Sequence, residues 1–313
     1  MTLFMSTYAD ISYISIDTYN RLMILDFGLF VIGIVFLVLG TAAIALNKSD
    51  SGRNCKNIGG VSVVAESLIG DRKYQQDYYM FPAGNRNSEE LKAGVLAVVC
   101  DGMGGMENGE IASRTCAELV YNGFYQLGWM ENICQVLTEL VSAANKEISS
   151  LTSEDGKALN SGTTIVAVAV RDNKAYWVSA GDSRIYLFHD EHLEQLTRDH
   201  NFRVTLQERC SAGIITPEQM ENDRLKDALI SYVGRGEDII IDTGIVNFNT
   251  SEGDILVLSS DGLYKYVSDG DIQRIIQRNT KQPEKLAKIL AKYAMTGGTR
   301  GKHDNITVLV MSR

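Results

Sequence analysis

Proline is scarce in this chain, with three in 313 residues, and nothing reads as a proline-rich linker. Cysteine is sparse and scattered. The five residues, at 55, 100, 116, 134 and 210, form no CxxC pair. An odd number at irregular spacing argues against a disulfide framework and for reduced, mostly buried thiols in a cytosolic compartment. Basic charge is lacking as well, the formal net charge being -9. Nucleic-acid binders carry a basic face, so no nucleic-acid partner is expected. There is no Walker A loop, no HExxH and no GxSxG, and GMGG at 102–105 is not the GxGxxG of a dinucleotide fold. The histidines at 189, 192, 200 and 303 are spread out. His200, in TRDHN, reads as a hydrogen-bonded structural residue rather than a ligand.

What the chain does have is a long apolar run. Residues 27–46, FGLFVIGIVFLVLGTAAIAL, are twenty uncharged positions. As a helix they would span about 30 Å, the thickness of a bilayer core. The expected organisation is a short extracytoplasmic segment (1–22), a transmembrane helix (23–46), a polar tether (47–58) and one domain (59–313). Lys48, Arg53 and Lys56 follow the run, whereas Asp10, Asp17 and Asp26 precede it. That asymmetry predicts a single-pass protein of the cell membrane with its domain in the cytoplasm. A cleaved signal peptide is the competing reading, since AIA at 43–45 mimics a cleavage site. Against it, the segment before the run carries a single basic residue, Arg21.

The remaining sequence alternates strand-like and helix-like stretches. VSVVAE (61–66), YYMF (78–81), VLAVVC (95–100), TTIVAVAV (163–170), AYWVSA (175–180), RIYLF (184–188), IIIDTGIV (239–246), DILVLSS (254–260) and NITVLV (305–310) are rich in β-branched and aromatic residues. AYWVSAGDSRIYLF reads as a hairpin turning at Gly181-Asp182. In 131–151 the apolar residues 133, 136, 137, 140, 141, 144, 148 and 151 share one helical face. A similar face comes after Asn108, with Ile111, Ala112, Cys116, Leu119 and Val120. Pro217 is expected to open a helix running to Ile230, and Asp269 and Pro283 open two more. Clustered strands with helices between the clusters predict an α+β fold with largely antiparallel sheets.

Five aspartates stand at the predicted strand mouths. Asp101 and Asp261 each end an apolar run and precede a glycine. Asp77 and Asp304 stand before strands, and Asp182 lies in the predicted turn. If these mouths share one edge, the carboxylates converge, and converging carboxylates must take up protons or bind cations. Oxygen donors without a Cys or His set select Mg²⁺ or Mn²⁺. The glycine after Asp101 lets the backbone approach closely enough for a carbonyl to join as ligand. A single Asp-Gly would mark no more than a turn. Five acids so placed point to a metal site.

These residues resemble the metal-dependent serine/threonine phosphatases of the protein phosphatase 2C family, bacterial type. RKYQQD (72–77), VVCDGMGG (98–105), SGTT (161–164), GDSRIYLF (181–188), LTRDHN (196–201), SSDGL (259–263) and KHDNITV (302–308) occur in the family's order. The resemblance implies two packed, mainly antiparallel sheets with helices on both outer faces. It implies hydrolysis of phosphoserine and phosphothreonine in proteins by a water bridging two Mn²⁺ or Mg²⁺ ions, with no covalent intermediate. Asp101 would bridge the ions, the Gly102 carbonyl would complete one, and Asp261 and Asp304 the other. Gln76, Asp77 and Thr164 would hold metal-bound waters, and Arg72 would grip the substrate phosphate. Asp182 matches a position associated with a third, weaker ion.

Three departures from the family pattern involve four residues. Met103 stands where some members carry histidine, Gln75 and Gln76 where Asn and Glu or Gln are usual, and Lys265 where aspartate is usual. A cation at 265 weakens a third-metal site, so two readings stand for Asp182: ligand, or turn residue. Two also stand for the whole. One is a membrane-anchored phosphatase acting on phosphoproteins, a kinase being the obvious partner. The other is a catalytically impaired module that binds phosphoproteins in signalling.

Overall fold

The computed structural model describes residues 60–82, 92–104, 108–153, 155–249, 253–297 and 303–312. The expected segments 1–22, 23–46 and 47–58, and Cys55, lie outside the described residues. Among the described residues no helix is long and apolar enough to cross a membrane.

Two sheets make the frame. One has the order β1 (Ser62–Leu68), β11 (Ile306–Ser312), β10 (Ile255–Ser259), β7 (Arg184–His189) and β8 (His192–Gln195). The other runs β2 (Asp77–Met80), β3 (Val95–Met103), β5 (Ile165–Arg171), β6 (Lys174–Ala180) and β9 (Asp242–Asn247), with the short β4 (Gly162–Thr163) paired to β3. Every pairing is antiparallel. Alternate residues of the two sheets meet in one core that includes Val63, Val99, Val168, Leu187, Leu258 and Leu309. Burying a Leu or Ile side chain in such a layer contributes about 1.5–3 kcal/mol.

Helices cover both outer faces, as expected. The outer face of the first sheet packs Val257, Val308 and Val310 against Ile272 and Ile276 of α6 (Asp269–Asn279) and Leu290 and Ala294 of α7 (Leu286–Thr296). With a helix layer on one side and a sheet on the other, β10 and β11 are buried at every residue. That explains why their sequences are continuous apolar runs rather than alternations. On the second sheet α1 (Asn108–Leu127) lies over β2 and β3, and α2 (Ile133–Ser149) packs on α1 and β6. The predicted face of α2 is buried from Ile133 to Ile148, but Leu151 lies beyond the helix and is half-buried. On α1, Ala112, Cys116, Leu119 and Val120 are buried but Ile111 is exposed.

Four expectations fail. AYWVSAGDSRIYLF is not a hairpin: β6 pairs with β5 and β9, and β7 with β10 and β8. The chain instead crosses between sheets at Gly181-Asp182. Gly181 takes φ +107° there, and a Cβ would lie 2.6 Å from Thr164 Cγ2. Second, Asp101 does not end its strand. β3 continues through Met103 because β4 pairs with Gly102 and Met103. Third, the helix from Pro217 is the short α4 (Pro217–Glu221), capped by Thr216 and Gln219, and does not reach Ile230. Fourth, of IIIDTGIV only the part from Asp242 is strand. The helix α3 (Phe202–Ser211) and β8 had no apolar signature; Leu206 is the buried residue of α3.

Candidate active site

The acids come from both sheets. Asp77 opens β2 and lies directly opposite Asp101 of β3 in the strand register. Asp261 follows β10 as the first residue of the one-turn helix α5 (Asp261–Tyr264), and Asp304 stands two residues before β11. Asp182 sits in the crossing between the sheets. Sequence placed these aspartates at strand edges, and the fold does bring them within electrostatic reach of one another.

Electrostatics registers that convergence. Burial pushes the Asp101 carboxyl well above the usual carboxylate range, and Asp77, Asp261, Asp182 and Asp304 push it further. Asp77 is pushed up to about 7, again by burial first, with hydrogen bonds from Thr307 and Ser260 opposing. Asp182 is raised to about 6 by burial and then by Asp261. Asp261 is also raised by burial, with Lys265 pulling the other way.

Two glycines let the acids come this close. A Cβ on Gly102 would lie 2.1 Å from the Gly109 carbonyl oxygen, and one on Gly262 would lie 2.0 Å from that of Asn305. Both clashes are with backbone, so neither site tolerates a side chain without displacing an element. The Gly102 N–H donates to the Gln76 carbonyl at 3.0 Å.

Around the acids, hydrogen bonds fix the loops. The Asp101 N–H donates to Thr164 Oγ1 at 3.1 Å, Thr163 Oγ1 donates to the Asp101 carbonyl at 2.9 Å, and Thr164 Oγ1 pairs with Ser183 Oγ at 2.7 Å. Gln76 Nε2 donates to the Gly104 carbonyl at 3.3 Å. Arg72 donates to Asp304 Oδ2 at 2.6 Å, while its side chain stays 58% exposed. It is therefore reachable by a solute. His200 is structural, as expected: its Nδ1 accepts from the Gly181 N–H at 3.2 Å and its Nε2 lies 2.9 Å from Asp242.

Two residues at the site, Ser260 and Asn305, had no role assigned from sequence, and a third, Lys265, was expected only to weaken a third-metal site. Ser260 donates to Asp77 Oδ2 at 2.7 Å and accepts from the Thr307 N–H, tying one sheet to the other. Asn305 accepts from the Gln76 N–H at 2.8 Å and donates to the Ile69 and Tyr74 carbonyls, so it clamps the loop carrying Arg72. Lys265 forms an ion pair with Asp261. Ser260 and Asn305 lie inside SSDGL and KHDNITV, adjacent to the aspartates, and polarity at the end of an apolar strand was their one signal.

The donor set is oxygen alone, which suits Mg²⁺ or Mn²⁺. Asp77 Oδ1 and Asp261 Oδ1 are buried without a hydrogen-bond partner, as expected of atoms that await a cation. Among the described residues no group of three or more His, Cys, Asp or Glu side chains is placed to hold a metal ion by itself. Asp261 turns one oxygen to Lys265 and Asp304 one to Arg72. The oxygen donors suit a divalent ion, and basic neighbours partly neutralise Asp261 and Asp304.

The family model of protein phosphatase 2C matches residues 62–206 and 242–305. This chain belongs to that family. The phosphatase is 34% identical over 222 residues to the serine/threonine phosphatase stp of Listeria monocytogenes, covering 70% of this chain and 84% of the relative. Its fold matches the serine/threonine phosphatase of S. agalactiae with a TM-score of 0.68 at 28% identity, covering 80% of this chain and 99% of that one. The catalytic domain of the phosphatase PstP, solved with 2 manganese ions, matches with a TM-score of 0.63 at 29% identity over 80% of this chain and 97% of that one. The chain is thus a metal-dependent serine/threonine protein phosphatase, and the reading as a module without catalysis gives way to the enzyme. The stretch the family model skips, 207–241, holds the end of α3 and all of α4.

Proposed function

We propose that Asp101, Gly102, Asp261 and Asp304 hold two Mn²⁺ or Mg²⁺ ions, with Asp101 shared between them. The observation that carries this is the convergence of four aspartates, Asp77, Asp182, Asp261 and Asp304, on Asp101, which is thereby strongly disfavoured as an uncompensated anion. When bound, the ions supply a hydroxide-like nucleophile from water at neutral pH and neutralise charge on the phosphoryl oxygens. The chain's own residues do the rest. Asp77, Gln76 and Thr164 would hold water by hydrogen bonding, and Ser260 fixes Asp77 in place. Arg72 offers a guanidinium fork to the phosphate from the rim, and Asp304 holds it in place. Met103 has no proton to give, so leaving-group protonation falls to solvent.

The substrates on this reading are cytoplasmic proteins phosphorylated on serine or threonine, among them a cognate kinase. Residues 23–46 anchor the enzyme to the cell membrane and raise its local concentration near membrane-bound substrates. The test uses the full chain purified from membranes and a phosphothreonine peptide. Turnover should require Mn²⁺ or Mg²⁺ and vanish in EDTA, and Arg72→Lys should raise KM more than it lowers kcat. Metal-independent turnover would sink the ion assignment, and release of the chain from membranes by carbonate would sink the anchor.

A further inference from the structure

We infer that the Lys265 ammonium is a tethered cation that fills the Asp182–Asp261 side of the acidic pocket and keeps a divalent ion out of it. The inference rests on the proposed metal-binding role of the aspartates.

Geometry comes first. Asp261 and Lys265 are four residues apart across the single turn of α5, and the Lys265 N–H donates to the Asp261 carbonyl at 3.1 Å. Side chains at that spacing meet on one helix face, and here the ammonium pairs with Asp261 Oδ2. The Lys265 side chain is 39% exposed, so the ion pair with Asp261 lies at the rim of the site.

The pocket it enters demands a cation. Asp182 is 5% exposed and Asp261 9%. The contact from Asn201 Nδ2 to Asp182 Oδ2 is long, 3.5 Å, and does little to neutralise that charge. The Lys265 ammonium already donates to Asp261 Oδ2, so a cation occupies that oxygen before any ion is added. Asp261 is shared in this arrangement: one oxygen serves the ammonium, and the buried unpartnered Oδ1 remains for a metal ion. A carboxylate in place of Lys265 would reverse that charge and open the same space to an ion.

The experiment counts bound Mn²⁺ on the full chain by electron paramagnetic resonance, at saturating metal. Lys265→Asp should bind one more ion per chain than the wild type, and adding Asp182→Asn to it should return the count to the wild-type value. Equal counts in wild type and Lys265→Asp would overturn the inference, as would an extra ion that survives Asp182→Asn. A wild type that binds no Mn²⁺ would overturn the proposed function itself. A second measurement covers misfolding of the aspartate variant. In EDTA at pH 8, Lys265→Met should melt a few degrees below the wild type, and Asp182→Asn in that background should recover most of the loss. An unchanged melting temperature for Lys265→Met would count against the tethered cation.

Discussion

Asp101-Gly102 and Asp261-Gly262 are the same dipeptide at the end of the same kind of apolar run, yet they have different fates. Both glycines are demanded by a backbone carbonyl about 2 Å from where a Cβ would stand. After Asp101 the chain stays extended because β4 is there to pair with it; after Asp261 it coils into α5. Coiling delivers Lys265 back onto Asp261, whereas an extended chain carries its next residues away from Asp101. One half of the site therefore brings its own positive charge through α5, whereas the strand beyond Asp101 supplies none. The dipeptide sets the close approach, and the backbone path beyond it sets the charge balance.

The largest test of that contrast is Asp101→Asn. Turnover with Mn²⁺ should fall by at least the roughly hundred- to thousandfold typical of losing one preorganised electrostatic contact. Melting in EDTA should move the opposite way, to higher temperature, because a buried uncompensated charge is gone. A variant that loses stability and activity together would show that Asp101 is held by structure rather than by ions.

Next come the glycines, where the two halves should behave alike. Gly102→Ala and Gly262→Ala should each cost about 1–3 kcal/mol in denaturant unfolding, the range for forced overpacking. A large difference between them would mean that one carbonyl can yield.

The gentlest probe is pH. Asp77 and Asp182, with pKa values raised from 3.8 to about 7 and about 6, favour the folded state when protonated. Their contribution is fully present below pH 3.8 and is lost as pH rises through 6 and 7. Metal-free protein should lose this contribution progressively from pH 3.8 to about 7, and Mn²⁺ should stabilise the protein more at pH 8 than at pH 5. Melting curves with and without EDTA measure both. Equal stabilisation at the two values would break the link between these acids and the ions.

Much of this arrangement was legible in the sequence, for a physical reason. A polar residue that stops an apolar run has few places to go but the sheet edge, so Asp101, Asp261 and Asp304 could be placed without coordinates. Which sheet a strand joins could not be read. AYWVSA and RIYLF alternate identically whether they pair with each other or cross between layers, and only the packing of Gly181 against Thr164 decides. α3 was silent because RVTLQERCS buries little besides Leu206. Lys265 was legible as an oddity, but its position over Asp261 depends on α5, a helix of one turn that no periodicity reveals.

The pairing of β1 with β11 runs from Ser62↔Ser312 to Leu68↔Ile306. β1, the first of the described strands to be made, thus waits for β11, the last of them, before its edge is satisfied. Contacts of such sequence separation close slowly. Asp304 arrives just ahead of β11, so a nascent chain that has not yet made β11 has Asp77, Asp101, Asp182 and Asp261 without their fifth member, and the acidic site cannot be complete before that strand folds.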